Sequence, residues 1–350
     1  MNRIHTVPYL QALTAALLFG ASAPLAKMLL GKTEPVPLAA FLYLGSGISL
    51  LAVKIFQKMA RVPSNREAQI AKPDLIWLLG AILAGGVAAP ITLLFSLQNT
   101  PAATASLLLN FESVATTLIA ALLFKESISR RAWWAVALIT VSSAFLSFNP
   151  DAGWGFSPGA LGIIAACILW GVDNNFTRNI SAKDPLVIAT FKGLGAGSFS
   201  LGMAVLLGNK IPAAGTTFGV MLLGSLSYGA SIVLFIRAMR SLGAARTSAL
   251  FSTAPLAGML LSFLLFQERP GRFFFAALTL MAAGTLLLVN EEHRHYHLHS
   301  PVIHEHAHSH DDGHHDHEGQ DTGRHSHMHS HEEIGHDHSH MPDIHHRHTS

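Results

Sequence analysis

The sequence predicts an all-α integral membrane protein, with ten transmembrane helices as two inverted five-helix repeats and a disordered His-rich C-terminal tail. Three observations carry this prediction. Half of the 350 residues are hydrophobic and only 13 % are Asp, Glu, Lys or Arg, against about 25 % charged residues in a soluble domain. Residues 1–290 are a succession of apolar runs, each about 18–24 residues long and so able to cross a hydrocarbon core of about 30 Å as a helix. Residues 291–350 hold 21 of the 22 histidines and 12 of the 21 acids, which leaves the first 290 residues with 9 acids against 20 Lys and Arg.

The ten segments are residues 8–30, 36–57, 74–96, 101–124, 131–148, 159–180, 185–207, 217–239, 245–266 and 272–290, called spans one to ten below. Span one follows the short polar start "MNRIHTVPYL", which lacks a secretory cleavage site. "EPVP" punctuates the approach to span two, "KPD" to span three and "NTPA" to span four. "FNPDAGWG" separates spans five and six, and "ERPG" separates nine and ten. Glycines lie inside spans one and eight, in "LLGAILAGGVAAP" of span three and in "GLGAGSFSLG" of span seven. Small residues of this kind let helices approach closely in lipid. Helices are required, because lipid cannot satisfy backbone amides and no alternating strand pattern occurs in these spans. The single cysteine, Cys167, sits in an apolar run and reads as a small buried side chain.

Orientation follows from Lys and Arg. With the N-terminus inside, the inner ends collect Arg3, Lys54, Lys58, Arg61, Arg66, Lys72, Lys125, Arg130, Arg131, Arg178, Lys183, Arg237, Arg240 and Arg246. The outer side receives Lys27, Lys32, Lys210, Arg269 and Arg272. Ten crossings return the C-terminus to the cytoplasm, so the tail is expected there.

The two halves resemble each other. "LLFGASAPLAKMLL" of span one aligns with "ILWGVDNNFTRNI" of span six, so that Gly20 meets Gly171 and Lys27 meets Arg178. "VPLAAFLYLGSG" of span two aligns with "DPLVIATFKGLG" of span seven. "ATASLLLNFESVATTLIAALLFKES" (103–127) aligns with "ARTSALFSTAPLAGMLLSFLLFQER" (245–269) at a constant offset of 142, matching Ser106 with Ser248. An odd number of spans per copy inverts the second copy, which gives units 8–148 and 159–290 and puts a solute site near the midplane between them.

On these motifs the chain resembles the EamA-type transporters of the drug/metabolite transporter superfamily. "AATASLLLNFESV" followed by "FKES" is similar to that family's A-x-x-A-S-L-L-x-x-x-E-P-V helix and terminal G-E. Glu112 falls on the acidic position. Ser113 stands where proline is usual, while the second half keeps Pro255 but has Ala254 in place of the acid. The resemblance implies ten helices, cytoplasmic termini in an inner membrane, and export of metabolites, amino acids or toxic compounds.

Polar side chains at membrane depth are the candidate substrate and coupling residues, because each costs about 2.5–3.5 kcal/mol to place there unless it faces protein or a wet cavity. Glu112, halfway along span four, reads either as a proton- or cation-binding carboxylate or as a helix-to-helix hydrogen bond. Asp173, Asn174 and Asn175 of span six spread over about 200° of the helix, so they cannot share one face. Lys192 of span seven lies at the depth of Asp173, and a buried pair would relieve both desolvation penalties. Asn110 lies about 200° from Glu112 on an unbroken helix, which lets only one of them line a cavity. Trp170, Tyr43 and Tyr228 are aromatic lining candidates, and Lys27 is placed to snorkel toward the headgroups. The spans contain no catalytic triad and no phosphate-binding glycine loop. The expectation is therefore no enzyme activity, no required cofactor, no nucleic-acid partner, and secondary transport of a small molecule within membrane lipid.

The tail repeats His-x-His. The metal-ligating candidates are His304, His306, His308, His310, His314, His315, His317, His325, His327, His329, His331, His336, His338 and His340. Imidazole suits Zn, Ni, Co and Cu, and a His-rich tract reads as metal-binding. Few apolar residues accompany the histidines, so composition predicts disorder. Three functions stay open: export of a small organic solute with a metal-responsive tail, efflux of a transition metal or its chelate with the tail gathering cargo, and a membrane-anchored metal-binding regulator.

Overall fold

The computed structural model describes residues 3–60, 70–124, 129–148, 156–180, 183–242, 250–251, 253–268, 270–289, 293–299, 302–308, 325–331 and 334–340. Helical structure occurs in each of the ten segments. Among the described residues, seven stretches are long and apolar enough, by length and composition, to cross a membrane: Val7–Leu30, Pro35–Met59, Asp74–Leu97, Ala102–Phe124, Pro158–Asn179, Pro185–Leu206 and Ala214–Ala238. This falls short of the ten expected, for local reasons. Arg130–Ser147 opens on two arginines and carries three serines. Ala254–Phe266 is only 13 residues long, and most of span nine before it lies outside the described residues. Arg272–Val289 has a shorter apolar stretch, Phe273–Leu287. The protein is a multi-pass membrane protein. Its exposed surface carries large apolar side chains such as Phe56, Leu122, Leu206 and Leu264, as a lipid-facing surface requires.

The helices are not uniform. Span four is two helices, Ala102–Leu108 and Phe111–Phe124. Between them Asn110 N–H bonds to Leu107 O, Glu112 N–H to Leu109 O and Ser113 N–H to Asn110 O. These are tightened three-residue turns that break the helix without a proline. Ser113 Oγ also donates to Asn110 O at 2.7 Å. The second half breaks at the corresponding place, where Thr253 forms a turn and Pro255 lies in the first turn of Ala254–Phe266.

Spans three and eight each contain a π-helical stretch, Ile82–Ala88 and Ser225–Ala230. They correspond, to within one residue, at the same offset of 142 that aligns span four with span nine. Both stretches are rich in Gly, Ala and Ser, which tolerate a widened turn at a helix crossing.

The spans pack mainly across the halves. Two lies on seven, five on ten, three and the second helix of four on six, eight and nine on one, two on eight, and three on seven. The buried core runs through Leu38, Leu94, Leu97, Leu107, Leu108, Ile139 and Ile163. Spans five and ten stand to one side, joined by a hydrogen bond from Ser142 Oγ to Ala277 O at 2.7 Å and by Gly284 against the backbone of Ala135.

The tail differs from the disorder that composition predicts. His293–His299 pairs antiparallel with Ile334–His340, and Val302–His308 pairs with His325–His331. A two-stranded ladder satisfies amides and carbonyls without a hydrophobic core, and strict His-x-His alternation has the two-residue period of a strand. His310, His314, His315 and His317 lie outside the described residues.

Candidate functional site

Polar residues of spans four, six and seven meet at membrane depth. Span six is an unbroken helix, Pro158–Asn179, so its three consecutive polar residues face three ways. Asp173 is buried and turns toward span seven, where Lys192 Nζ donates to Oδ1 at 2.6 Å and Oδ2 at 2.7 Å. Thr177 Oγ1 donates to the same Oδ1 at 2.9 Å. Room for this carboxylate comes from Gly85, where an added Cβ would lie 1.9 Å from Asp173 Oδ2.

Asn175 is buried on another face, and its Nδ2 donates to Thr116 O at 3.1 Å and Gly171 O at 2.8 Å. Asn174, between them, is exposed. Its Nδ2 donates to Glu112 Oε1 at 2.8 Å and to Thr116 Oγ1 at 3.1 Å. Glu112 is therefore in the first turn of the second helix of span four, beside span six, and is half-buried. The carbonyl oxygen of Asn110 accepts from Ser113 Oγ. The sequence argument set Asn110 opposite Glu112 on a continuous helix. The break at 109–110 removes the premise of that argument.

An aromatic group adjoins the carboxylate. Trp170 Nε1 and Tyr43 Oη both donate to Gly85 O, at 3.0 Å and 2.9 Å. Tyr43 stacks on Tyr228 at 5.7 Å between ring centroids, and Phe19 meets Tyr228 edge-on at 5.9 Å. Spans one, two, three, six and eight thus contribute to one cluster. Trp170 and Asn174, the partner of Glu112, lie four residues apart on the unbroken helix of span six and so share one face. The doubly used carbonyl of Gly85 lies within the π-helical stretch of span three, and nothing in residue type or spacing announces it.

Two further long-range contacts escape sequence reading. Glu268, just after span nine, accepts the backbone N–H of Ala102 at 2.6 Å and of Ala103 at 2.9 Å, capping the start of span four. Lys27 Nζ donates to Thr100 O and sits 5.8 Å from the Phe266 ring centroid. At the opposite ends of the helices, Lys54 bonds Asp184 at 2.9 Å and Lys183 lies 3.4 Å from Asp74.

The EamA-like transporter family matches residues 6–148 and again 157–290. An "Uncharacterized transporter" of Methanothermobacter thermautotrophicus is 28 % identical over 277 residues, covering 74 % of this chain and 79 % of that protein. A solved crystal structure superposes with a TM-score of 0.58 at 20 % identity, over 81 % of this chain and 96 % of that one, which is a likeness of fold. The chain belongs to the EamA-like transporter family.

Proposed function

We propose that this protein is a secondary transporter of the inner membrane that exports a small organic solute, such as a metabolite, amino acid or toxic compound. The two halves, 8–148 and 159–290, act as inverted five-helix repeats that rock about a shared central pathway, with both termini cytoplasmic. The observation that carries this reading is the packing. Exchanging each span for the one five places on maps the main contacts onto one another: four with six onto nine with one, three with six onto eight with one, and two with eight onto seven with three. Matching π-helical stretches and matching helix breaks reinforce it, since broken helices at a repeat interface are where such carriers bind solute.

Within the pathway Glu112 is the coupling group. Asp173 is held by Lys192 and Thr177, whereas the hydrogen-bond partner of Glu112 is the neutral amide of Asn174. Untargeted comparison of the medium of cells with the intact chain, with Glu112→Gln and without the protein tests the reading. At least one small organic solute should be released only by the intact chain, and Glu112→Gln should reduce that release about tenfold or more. Identical media from all three strains refute export, and full release by the variant removes Glu112 from the coupling step.

The histidine tail binds Zn, Ni, Co or Cu and responds to cytoplasmic metal. A second reading, efflux of a transition metal or its chelate, is favoured by the tail alone. Spans one to ten contain no histidine, and the two acids well inside them are Glu112 and the already paired Asp173. Deleting residues 293–350 is expected to leave cellular tolerance to Ni, Co, Zn and Cu within about twofold of the intact chain, less than the loss of one metal-ligand support. A collapse of tolerance in both the deletion and the full knockout reverses the order of the two readings.

A further inference from the structure

We propose that the pathway takes an organic cation, a protonated amine carried on an aromatic or otherwise flat apolar body. This rests on the transporter reading above and adds the charge of the solute. The state of the donors around Glu112 carries the inference. Lys192 spends its hydrogen bonds on both Asp173 oxygens and, at 3.3 Å, on Thr177 Oγ1. Asn174 Nδ2 is used by Glu112 and Thr116. Trp170 and Tyr43 both donate to Gly85 O. An anionic solute entering here meets charged and aromatic donors already engaged, beside a carboxylate that repels it.

Acceptors are in a different state. Asp173 and Lys192 neutralise each other, while Glu112 forms no salt bridge among the described residues. When ionised, Glu112 leaves one negative charge uncompensated at membrane depth. With the Tyr43 hydroxyl tied back and its ring stacked on that of Tyr228, the two contribute ring surface, and Phe19 and Trp170 extend the aromatic group. Aromatic faces attract cations, more strongly where water is scarce. One free carboxylate and several ring faces complement a flat body with one positive charge, and a buried charge needs such a partner.

Calorimetric titration of the purified full-length protein with four phenethyl compounds of different charge tests this: phenethylamine, phenylalanine, phenylacetate and phenethyl alcohol. Phenethylamine is expected to bind at least about tenfold more tightly than phenylacetate or the alcohol, the effect of one charge-assisted contact. Glu112→Gln should abolish that preference and Glu112→Asp should retain it. Equal or tighter binding of phenylacetate or the alcohol, no binding of phenethylamine by the intact chain, or full preference in Glu112→Gln each overturns the assignment. The titration measures binding alone. Its failure leaves the export experiment standing, and failure of export leaves amine binding intact.

Discussion

Lys192→Met is expected to destabilise the folded protein by about 3–5 kcal/mol, the usual consequence of stranding one partner of a buried ion pair. The Asp173 side chain is 6 % exposed and that of Lys192 20 %, so little water reaches the carboxylate once the ammonium is gone. Thr177 Oγ1 is the remaining side-chain donor to it among the described hydrogen bonds, and one hydroxyl does not replace a full charge. Gly85 packs against the carboxylate from span three, which closes that side to solvent. Adding Asp173→Asn in the same chain removes the uncompensated charge and should restore most of the lost stability, because an amide oxygen still accepts from Thr177. Thermal unfolding in detergent of the two variants and the parent chain decides the matter. If the single and double variants unfold together, the pair has no structural role, and Asp173 returns to the list of groups that meet the solute.

That pair shows what residue type and helical spacing reveal and what they leave hidden. Asp173 and Lys192 were legible as partners because two opposite charges at the same depth of adjacent spans have few alternatives in lipid. The divergence of Asp173, Asn174 and Asn175 was legible for a simpler reason, since it needs only the 100° step of an unbroken helix. For Asn110 the same step cannot be applied, because the helix breaks between it and Leu108. The break in span four is stabilised by backbone turns and a serine hydroxyl, and the missing proline gave no warning of it. Trp170 was selected as an aromatic lining candidate, but its partner is a backbone carbonyl exposed by a π-helical turn. Carbonyl availability depends on local winding, which side-chain periodicity does not encode. The Glu268 cap of span four joins residues 166 positions apart, so only the packing of the two halves brings it into view. In the tail, composition weighs what a segment can bury, whereas the pairings of 293–299 with 334–340 and of 302–308 with 325–331 are made by backbone groups.

Gly45→Ala and Gly224→Ala should each abolish correct folding or reduce the yield of folded protein severalfold, whereas Gly202→Ala should be silent or mildly stabilising. All three glycines are helical, in spans two, eight and seven, so intrinsic propensity favours alanine at each by up to about 1 kcal/mol. Packing reverses the sign at two of them. A Cβ on Gly45 would lie 2.1 Å from Met221 O, and one on Gly224 would lie 1.9 Å from Leu42 O. The obstacles are backbone atoms, so no rotamer change can clear them and spans two and eight must separate. Overpacking a well-formed core costs about 1–3 kcal/mol when side chains can yield, and more when they cannot. Separation would also carry Tyr43 away from Tyr228, since these residues sit on the same two spans. Gly202 has nothing within 4 Å of the added atom. Folded yield after purification, judged by a monodisperse elution peak and a cooperative unfolding transition, separates the cases. Normal behaviour of Gly45→Ala would mean that spans two and eight do not cross at the distance described, and the aromatic cluster that depends on that crossing would have to be redrawn.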